Sequence, residues 1–277
     1  MTHVLLGDAV AVPGDPPQAV TALMSRRGLL RAGSAAAGSL LLSGCDSVFD
    51  SPSVRGVLDF GQLVSLRVQR LLLSGQQLAR EFTEADISPD FPLNGTSMPG
   101  GFGYFQLMIT QFASWRLTVD GLVRQRLSLS LGEIKALPAR SQITMHSCDE
   151  GWSAIGQWTG VQLSHLLDMA ELMPTARYVV FHCLDELERT PDRSGLYYES
   201  LDLFDAFHPQ TILAYGMNGQ SLPVAHGAPL RLRVERQIGY KNAKYVTRIE
   251  AVETLDHVGR GRGGFWEDRG YQWYAGL

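Results

Sequence analysis

Cys148 closes an apolar run and opens a polar turn, in the order His146, Ser147, Cys148, Asp149, Glu150, Gly151, Trp152, Ser153. A thiol in that place has three uses. With His146 as a nearby base it is a nucleophile. As a soft donor it is a metal ligand. As a small apolar side chain it is simply buried, cysteine being among the most buried residue types. The local chemistry leaves all three open. Zinc fits poorly, because no CxxC pair or spaced set of His and Cys accompanies the thiol. The chain holds 3 cysteines, too few for a disulfide framework, so Cys45, Cys148 and Cys183 each need a separate explanation.

Further motifs follow in order. Leu213, Ala214, Tyr215, Gly216, Met217, Asn218, Gly219 and Gln220 lead to Leu222-Pro223; then come His226, Gly227, Ala228, Pro229, Leu230 and Arg231; then Gly239, Tyr240, Lys241, Asn242, Ala243 and Lys244. With the Cys148 motif, which follows the C-x-E-(A/G)-W-S form of the periplasmic methionine sulfoxide reductase branch, they make Cys148 to Val252 resemble the molybdopterin-binding domain of the sulfite oxidase superfamily. The resemblance implies an oxidoreductase holding molybdenum-molybdopterin. Cys148 is then the metal ligand, and the pterin supplies the remaining soft donors, so one cysteine suffices. Arg231 and Lys244 become partners of the cofactor phosphate through charge-assisted hydrogen bonds. The backbone N–H groups of Asn242 and Ala243 add an anion cradle, while Arg233 and Arg236 are expected to be solvated surface charges. His226 stands where sulfite oxidases carry His and the reductases Asn. Cys183 takes the place of a reductase Thr, either facing the pterin or serving as a core thiol. Asn94 and Tyr104 resemble upstream pterin contacts, and His146 is a cofactor or core contact more than a base. Tyr197 matches a tyrosine that reaches the substrate pocket, where a neutral phenol can donate to an oxo or sulfoxide oxygen; a purely structural Tyr is the other reading.

The activity this implies is two-electron oxygen-atom transfer on a small-molecule substrate. Sulfite oxidases carry arginines soon after the metal cysteine, whereas this chain has Asp149 and Glu150. Carboxylates beside a doubly charged oxyanion are unfavourable in a poorly solvated pocket, which favours an S-oxide or N-oxide. Sulfite dehydrogenase-type oxidation is the alternative within the family. A metal-independent Cys148/His146 thiol enzyme and a non-catalytic binding lipoprotein are the alternatives outside it. No CxxCH occurs, so no c-type haem is attached, and electrons must come from a separate carrier such as a membrane cytochrome b or a soluble cytochrome.

The elements that position these residues read as α+β, a sulfite-oxidase-type fold of mixed sheets and short helices. Strands are expected at Trp115 to Val119, Ile143 to Cys148, Tyr178 to Cys183, Thr211 to Tyr215, Leu230 to Val234 and Tyr245 to Val252. Asp120-Gly121 reads as a hairpin turn. Helices are expected at Leu129 to Leu137, with Ser130 as cap, and at Leu163 to Leu172. Phe60, Leu63, Val64, Val68, Leu71, Leu72, Leu78 and Phe82 recur at helical spacing, predicting an amphipathic helix whose apolar stripe packs on the domain. The Gly100 to Gly103 cluster reads as a loop that turns a corner or wraps a ligand. The chain thus divides into 1–45, 46–90 (linker and amphipathic helix) and 91–277, the molybdopterin-binding domain. No C-terminal dimerisation domain fits in what remains, in keeping with a monomeric catalytic subunit.

With 24 Lys+Arg against 28 Asp+Glu and a net charge of −4, the chain lacks the basic excess of a nucleic-acid binder. Its 45% hydrophobic content supplies a real core. Residues 1–45 read as an address label. Arg26-Arg27 followed by the weakly apolar Ala32 to Leu42 forms a twin-arginine export signal, making the twin-arginine translocase a partner. Leu42, Ser43, Gly44 and Cys45 then resemble a lipobox, with Cys45 as the lipidation site of a periplasmic or otherwise extracytoplasmic protein. Replacing Arg26 and Arg27 together by Lys keeps the charge but removes the guanidinium fork that a receptor reads. Fractionation and immunoblotting of that double variant is expected to show no periplasmic accumulation; normal accumulation contradicts the signal.

Overall fold

The computed structural model describes residues 52–72, 77–190 and 195–277. The twin-arginine pair and Cys45 lie outside the described residues. The chain divides at Leu58, and Asp59–Leu277 forms one compact unit. The stretch 59–90, set apart in the sequence as helix and linker, therefore belongs with the domain.

Two sheets make the body. The first has the order β2-β1-β10-β5-β6, from β1 (Arg116–Gly121), β2 (Leu127–Ser130), β5 (Tyr178–Glu186), β6 (Leu196–Asp202) and β10 (Val246–Val252). Only β1 and β10 run parallel there. The second sheet joins β3 (Ala139–Ser147), β4 (Ser153–Gln162) and β7 (Ile212–Met217), with β8 (Gln220–Ser221) and β9 (Arg231–Arg233) both paired to β7. The main core gathers Leu117, Val119, Val179, Phe181, Leu201 and Ile249 of the first sheet with Val161, Leu213 and Leu232 of the second.

The helices form for local reasons. Ser130 caps α3 (Leu131–Ala136), its hydroxyl accepting from the Glu133 N–H while the Glu133 carboxylate accepts from the Ser130 N–H. That reciprocal arrangement satisfies two otherwise orphaned donors. In α4 (Leu163–Ala170), Leu163, Leu166, Leu167 and Ala170 are buried, one face of a helix. The Gly-rich loop is partly helical: Gly101 is the cap of α2 (Phe102–Ile109). Asp120 and Gly121 complete β1, and the chain turns afterwards, over residues 122–126.

The N-terminal helix departs most from expectation. α1 (Pro52–Leu72) stops ten residues before Phe82. Leu78 and Phe82 lie in an extended segment whose Phe82 N–H donates to the Ile143 carbonyl and whose Glu81 bridges Thr144. The helix also meets the domain with its polar side. Arg70 donates to Asp202 at 2.8 Å and to Asp205 at 3.0 Å, and Tyr274 donates to Gln69 at 2.6 Å. Phe60, Val64, Val68 and Leu71 stay exposed. Two buried or half-buried carboxylates under one guanidinium outweigh the apolar stripe in choosing the face. Ser130→Ala is expected to lower stability by about 1 kcal/mol in urea unfolding; an unchanged midpoint would show that α3 is held by packing alone.

Candidate cofactor and substrate site

β3 delivers Cys148 to a tight turn in which the Cys148 N–H donates to the Trp152 carbonyl and the Gly151 N–H to the Cys148 carbonyl. The thiol opens on a small cleft lined by Asn94, Asp149, Glu150, Asp185, Asn242 and Lys244, together with Tyr197, Leu187 and Trp266. The opposite wall is the turn Gly239–Lys241. A Cβ on Gly239 would sit 3.1 Å from the Cys148 Cα and 3.1 Å from His146 Nε2, so the close approach of the two loops needs glycine there. Lys241 pins the turn: its fully buried Nζ donates to Glu199 of β6 at 2.5 Å and to Glu267 at 2.7 Å. Tyr197 pins it again, its hydroxyl donating to the Tyr240 carbonyl at 2.5 Å.

Charge is unevenly spread. Arg233 is buried, grips Glu235 through two hydrogen bonds and donates from Nη1 to His146 Nδ1 at 2.8 Å. A guanidinium only donates, so Nδ1 accepts and the His146 proton sits on Nε2, which has no partner. Burial, then Arg233, holds the His146 pKa well below the usual value. Burial pushes the Cys148 thiol up to about 11, helped by Asp149. A neutral, non-basic imidazole and a thiol raised by burial are the reverse of an activated Cys/His pair, which weighs against the metal-independent thiol enzyme. A coordinating soft cation changes that balance, since a bound metal deprotonates its thiol outright.

Residues 105–257 match the family described as the oxidoreductase molybdopterin binding domain. A candidate protein-methionine-sulfoxide reductase subunit, YedZ1 of Azospira oryzae, is 36% identical over 92% of this chain and 88% of its own length. The protein-methionine-sulfoxide reductase catalytic subunits MsrP of Campylobacter jejuni and Xanthomonas campestris are 33% and 36% identical. Those matches cover 50% and 52% of this chain and 48% and 47% of theirs. The chain therefore spans about half the length of those two relatives. It belongs to the molybdopterin-binding oxidoreductases.

This oxidoreductase carries groups that suit molybdenum-molybdopterin. Among the described residues no three His, Cys, Asp or Glu side chains come together as a metal site, and Cys148 alone faces the cleft as a soft donor, a set that a cofactor bringing its own sulfurs completes. Buried polar atoms are left without partners: Asp185 Oδ1 in the cleft wall, His146 Nε2 beside Gly239 and Arg231 Nε behind it. A polar guest that brings an anionic acceptor for the two N–H groups and a donor for the carboxyl oxygen suits them. Lys244 lines the cleft, donating to the carbonyls of Asn94, Thr96 and Ala225, and burial with Arg231 nearby brings its amine down to about 8.

The other residues singled out in the sequence take varied places. Arg231 is fully buried outside the cleft lining, with Nη1 donating to the His226 carbonyl, and so braces the loop from behind. Gly227 permits this, at φ 112 with its missing Cβ 3.0 Å from Lys244 and 3.2 Å from Arg231. Asn242 lines the cleft, but its side chain is engaged with the Val234 N–H and the Ile238 carbonyl; Ala243 is core. Cys183 belongs to the core and to a second cavity behind Tyr197. Tyr104 is buried, donating to the Ala228 carbonyl, and His226 packs edge-on against Phe91. One expectation is corrected. Arg233 is no surface charge, because its partners Glu235 and His146 are buried with it; Arg236 likewise reaches Asp205 at 2.6 Å. Tyr197 lines the cleft, its hydroxyl donating to the Tyr240 carbonyl. Asp185, Lys241 and Phe91 escaped the sequence reading; only the Gly239–Lys244 motif pointed near one of them.

Asp185 yields a pH prediction. Burial pushes its pKa up to about 7 against the opposing pull of Lys244. A carboxyl raised in the folded state stabilises most below its unfolded pKa near 4 and loses that contribution as pH rises through about 7. Urea unfolding of cofactor-free protein should therefore show falling stability between pH 5 and pH 8 that Asp185→Asn flattens. An identical slope in the variant contradicts the burial argument.

Proposed function

We propose that this oxidoreductase reduces an S-oxide or N-oxide outside the cytoplasm, with electrons from a separate membrane or periplasmic carrier. The balance is one oxide, two electrons and two protons giving the reduced substrate and one water. The carrying observation is the charge at the cleft: Asp149 and Glu150 line it against Lys244 alone among the described residues. Lys244 is already engaged by three backbone carbonyls. Glu150 is held at the rim by the Trp152 indole N–H at 2.9 Å, exposed there beside Asp149, so a sulfur oxyanion would meet like charge at the mouth of the cleft, only partly screened by solvent. A neutral oxide does not. The names of the MsrP relatives support an S-oxide.

When bound, the cofactor supplies the two-electron redox chemistry. The chain's own part is placement. Trp266 and Leu187 offer an apolar wall for the substituents of the oxide, and the Asp185 carboxyl holds a proton in the neutral range inside the cleft. Export by the twin-arginine route and acylation of Cys45 complete the proposal.

Cofactor-loaded protein should reduce dimethyl sulfoxide or methionine sulfoxide with reduced viologen faster than it oxidises sulfite with ferricyanide. Cys148→Ser should abolish turnover with the fold retained, since serine offers a hard donor to a soft centre. Faster sulfite oxidation by the unaltered protein would reverse the assignment of direction and substrate.

A further inference from the structure

α1 has two faces of opposite character, and only one is used. Gln69 and Arg70 engage Tyr274, Asp202 and Asp205, with Leu66 half-buried on the same side. On the other side Phe60, Val64, Val68 and Leu71 follow one another at helical spacing with 66%, 43%, 46% and 84% of their surfaces exposed. Leu63 flanks them, and exposed Arg67 stands between Leu63 and Leu71, one turn from each. Three turns of helix, about 17 Å, thus present a continuous apolar stripe with a cation at its edge.

From this, and resting on the acylation of Cys45 proposed above, we infer that the outward face of α1 lies in the surface of an anionic lipid bilayer and holds the oxidoreductase unit against it. Three observations select lipid. First, six residues separate Cys45 from Pro52. Even fully extended, that connection reaches only about 25 Å, so an acylated Cys45 keeps α1 at the membrane. Second, no described helix is long and apolar enough to cross a membrane. A helix with an apolar stripe, a polar opposite face and low net hydrophobicity lies in the interface plane. Third, the cation suits the headgroups. Arginine at the border of such a stripe lays its stem along the apolar surface and its guanidinium among anionic phosphates. A second copy docked stripe to stripe would bring Arg67 towards Arg67. Since α1 is clamped to the domain through Arg70, the bilayer contact also sets the orientation of the whole unit.

The test separates the stripe from the acyl chain. Full-length, cofactor-loaded protein carrying Cys45→Ser is floated with vesicles of phosphatidylethanolamine and phosphatidylglycerol, beside vesicles of phosphatidylcholine alone. The stripe should carry the unacylated protein to the anionic vesicles and much less to the neutral ones. Val64→Asp with Val68→Asp should reduce flotation about tenfold or more, with viologen-linked turnover unchanged. Leu71→Asp, at the most exposed position, should weaken it alone and guards against a folding failure of the pair. Three outcomes overturn the inference: the Cys45→Ser protein stays with the unbound fraction, the aspartate variants float equally well, or the same variants convert a dimer to a monomer in size exclusion. Mass spectrometry of Cys45 in the unaltered protein reports acylation separately, so failure of the lipid anchor and failure of the stripe are told apart.

Discussion

The cleft is held open and in shape by one buried lysine. Lys241 sits on the turn that faces Cys148, and its Nζ reaches Glu199 on the first sheet and Glu267 in the C-terminal segment, all three side chains at most 1% exposed. Burial opposes the lysine charge, but the two carboxylates outweigh it and hold its pKa above the ordinary value. Two carboxylates and one ammonium leave an excess negative charge, and burial with Glu267 alongside raises Glu199 well above the carboxylate range, so the cluster accommodates a proton. Breaking such a group by removing one partner costs about 3–5 kcal/mol, because a buried charge is left alone. The turn cannot drift from Cys148 without paying that. Tyr197, tied to the next carbonyl, and Gly239, with no side chain to intervene, are the two smaller conditions for the same approach.

Behind the cleft the charge has the opposite sign. Arg231 and Arg233 both lie over the ring of buried Trp158, 4.8 and 4.5 Å from its centroid, and of the two only Arg233 has a carboxylate partner among the described residues. Burial and the neighbouring Arg233 bring Arg231 down to about 9. Burial and Arg231 together bring His226 down to about 4. These shifts share one cause, a surplus of desolvated positive charge, and an anionic guest relieves it. The site is therefore graded, with carboxylates at the mouth and cations at depth. That gradient admits a cofactor bearing a phosphate while disfavouring an anionic substrate at the thiol.

The sequence carried the chemistry better than the framework around it. Cys148, Lys244 and Asn242 reach one cleft because they belong to motifs with their own local geometry. β5, β7 and β10 were legible from their β-branched and apolar runs. β4 was not, because its inward positions are Ala154, Gly156, Trp158 and Gly160, and glycines hide a strand from any hydrophobic count while letting the neighbouring chains approach. Asp185 and Lys241 were missed for a different reason. Each is an ordinary charged residue until the fold buries it, and burial follows from long-range pairing of β5 with β10 and β6. Arg233 shows the same limit from the other side: two positions from Arg231, it reads as a solvated charge until His146 is brought across from β3.

Cofactor and fold are consequently linked. A protein whose cleft leaves Asp185 Oδ1, His146 Nε2 and Arg231 Nε without partners carries a desolvation penalty of roughly 1–3 kcal/mol for each such group. A guest that satisfies them binds the folded state and not the unfolded chain, and so stabilises the fold by mass action. Loading the cofactor then does two things at once: it completes the active centre and firms the very loops, Gly239–Lys244 and Asn94–Thr96, that enclose it. The twin-arginine route proposed above passes chains already folded, the order of events that this linkage favours.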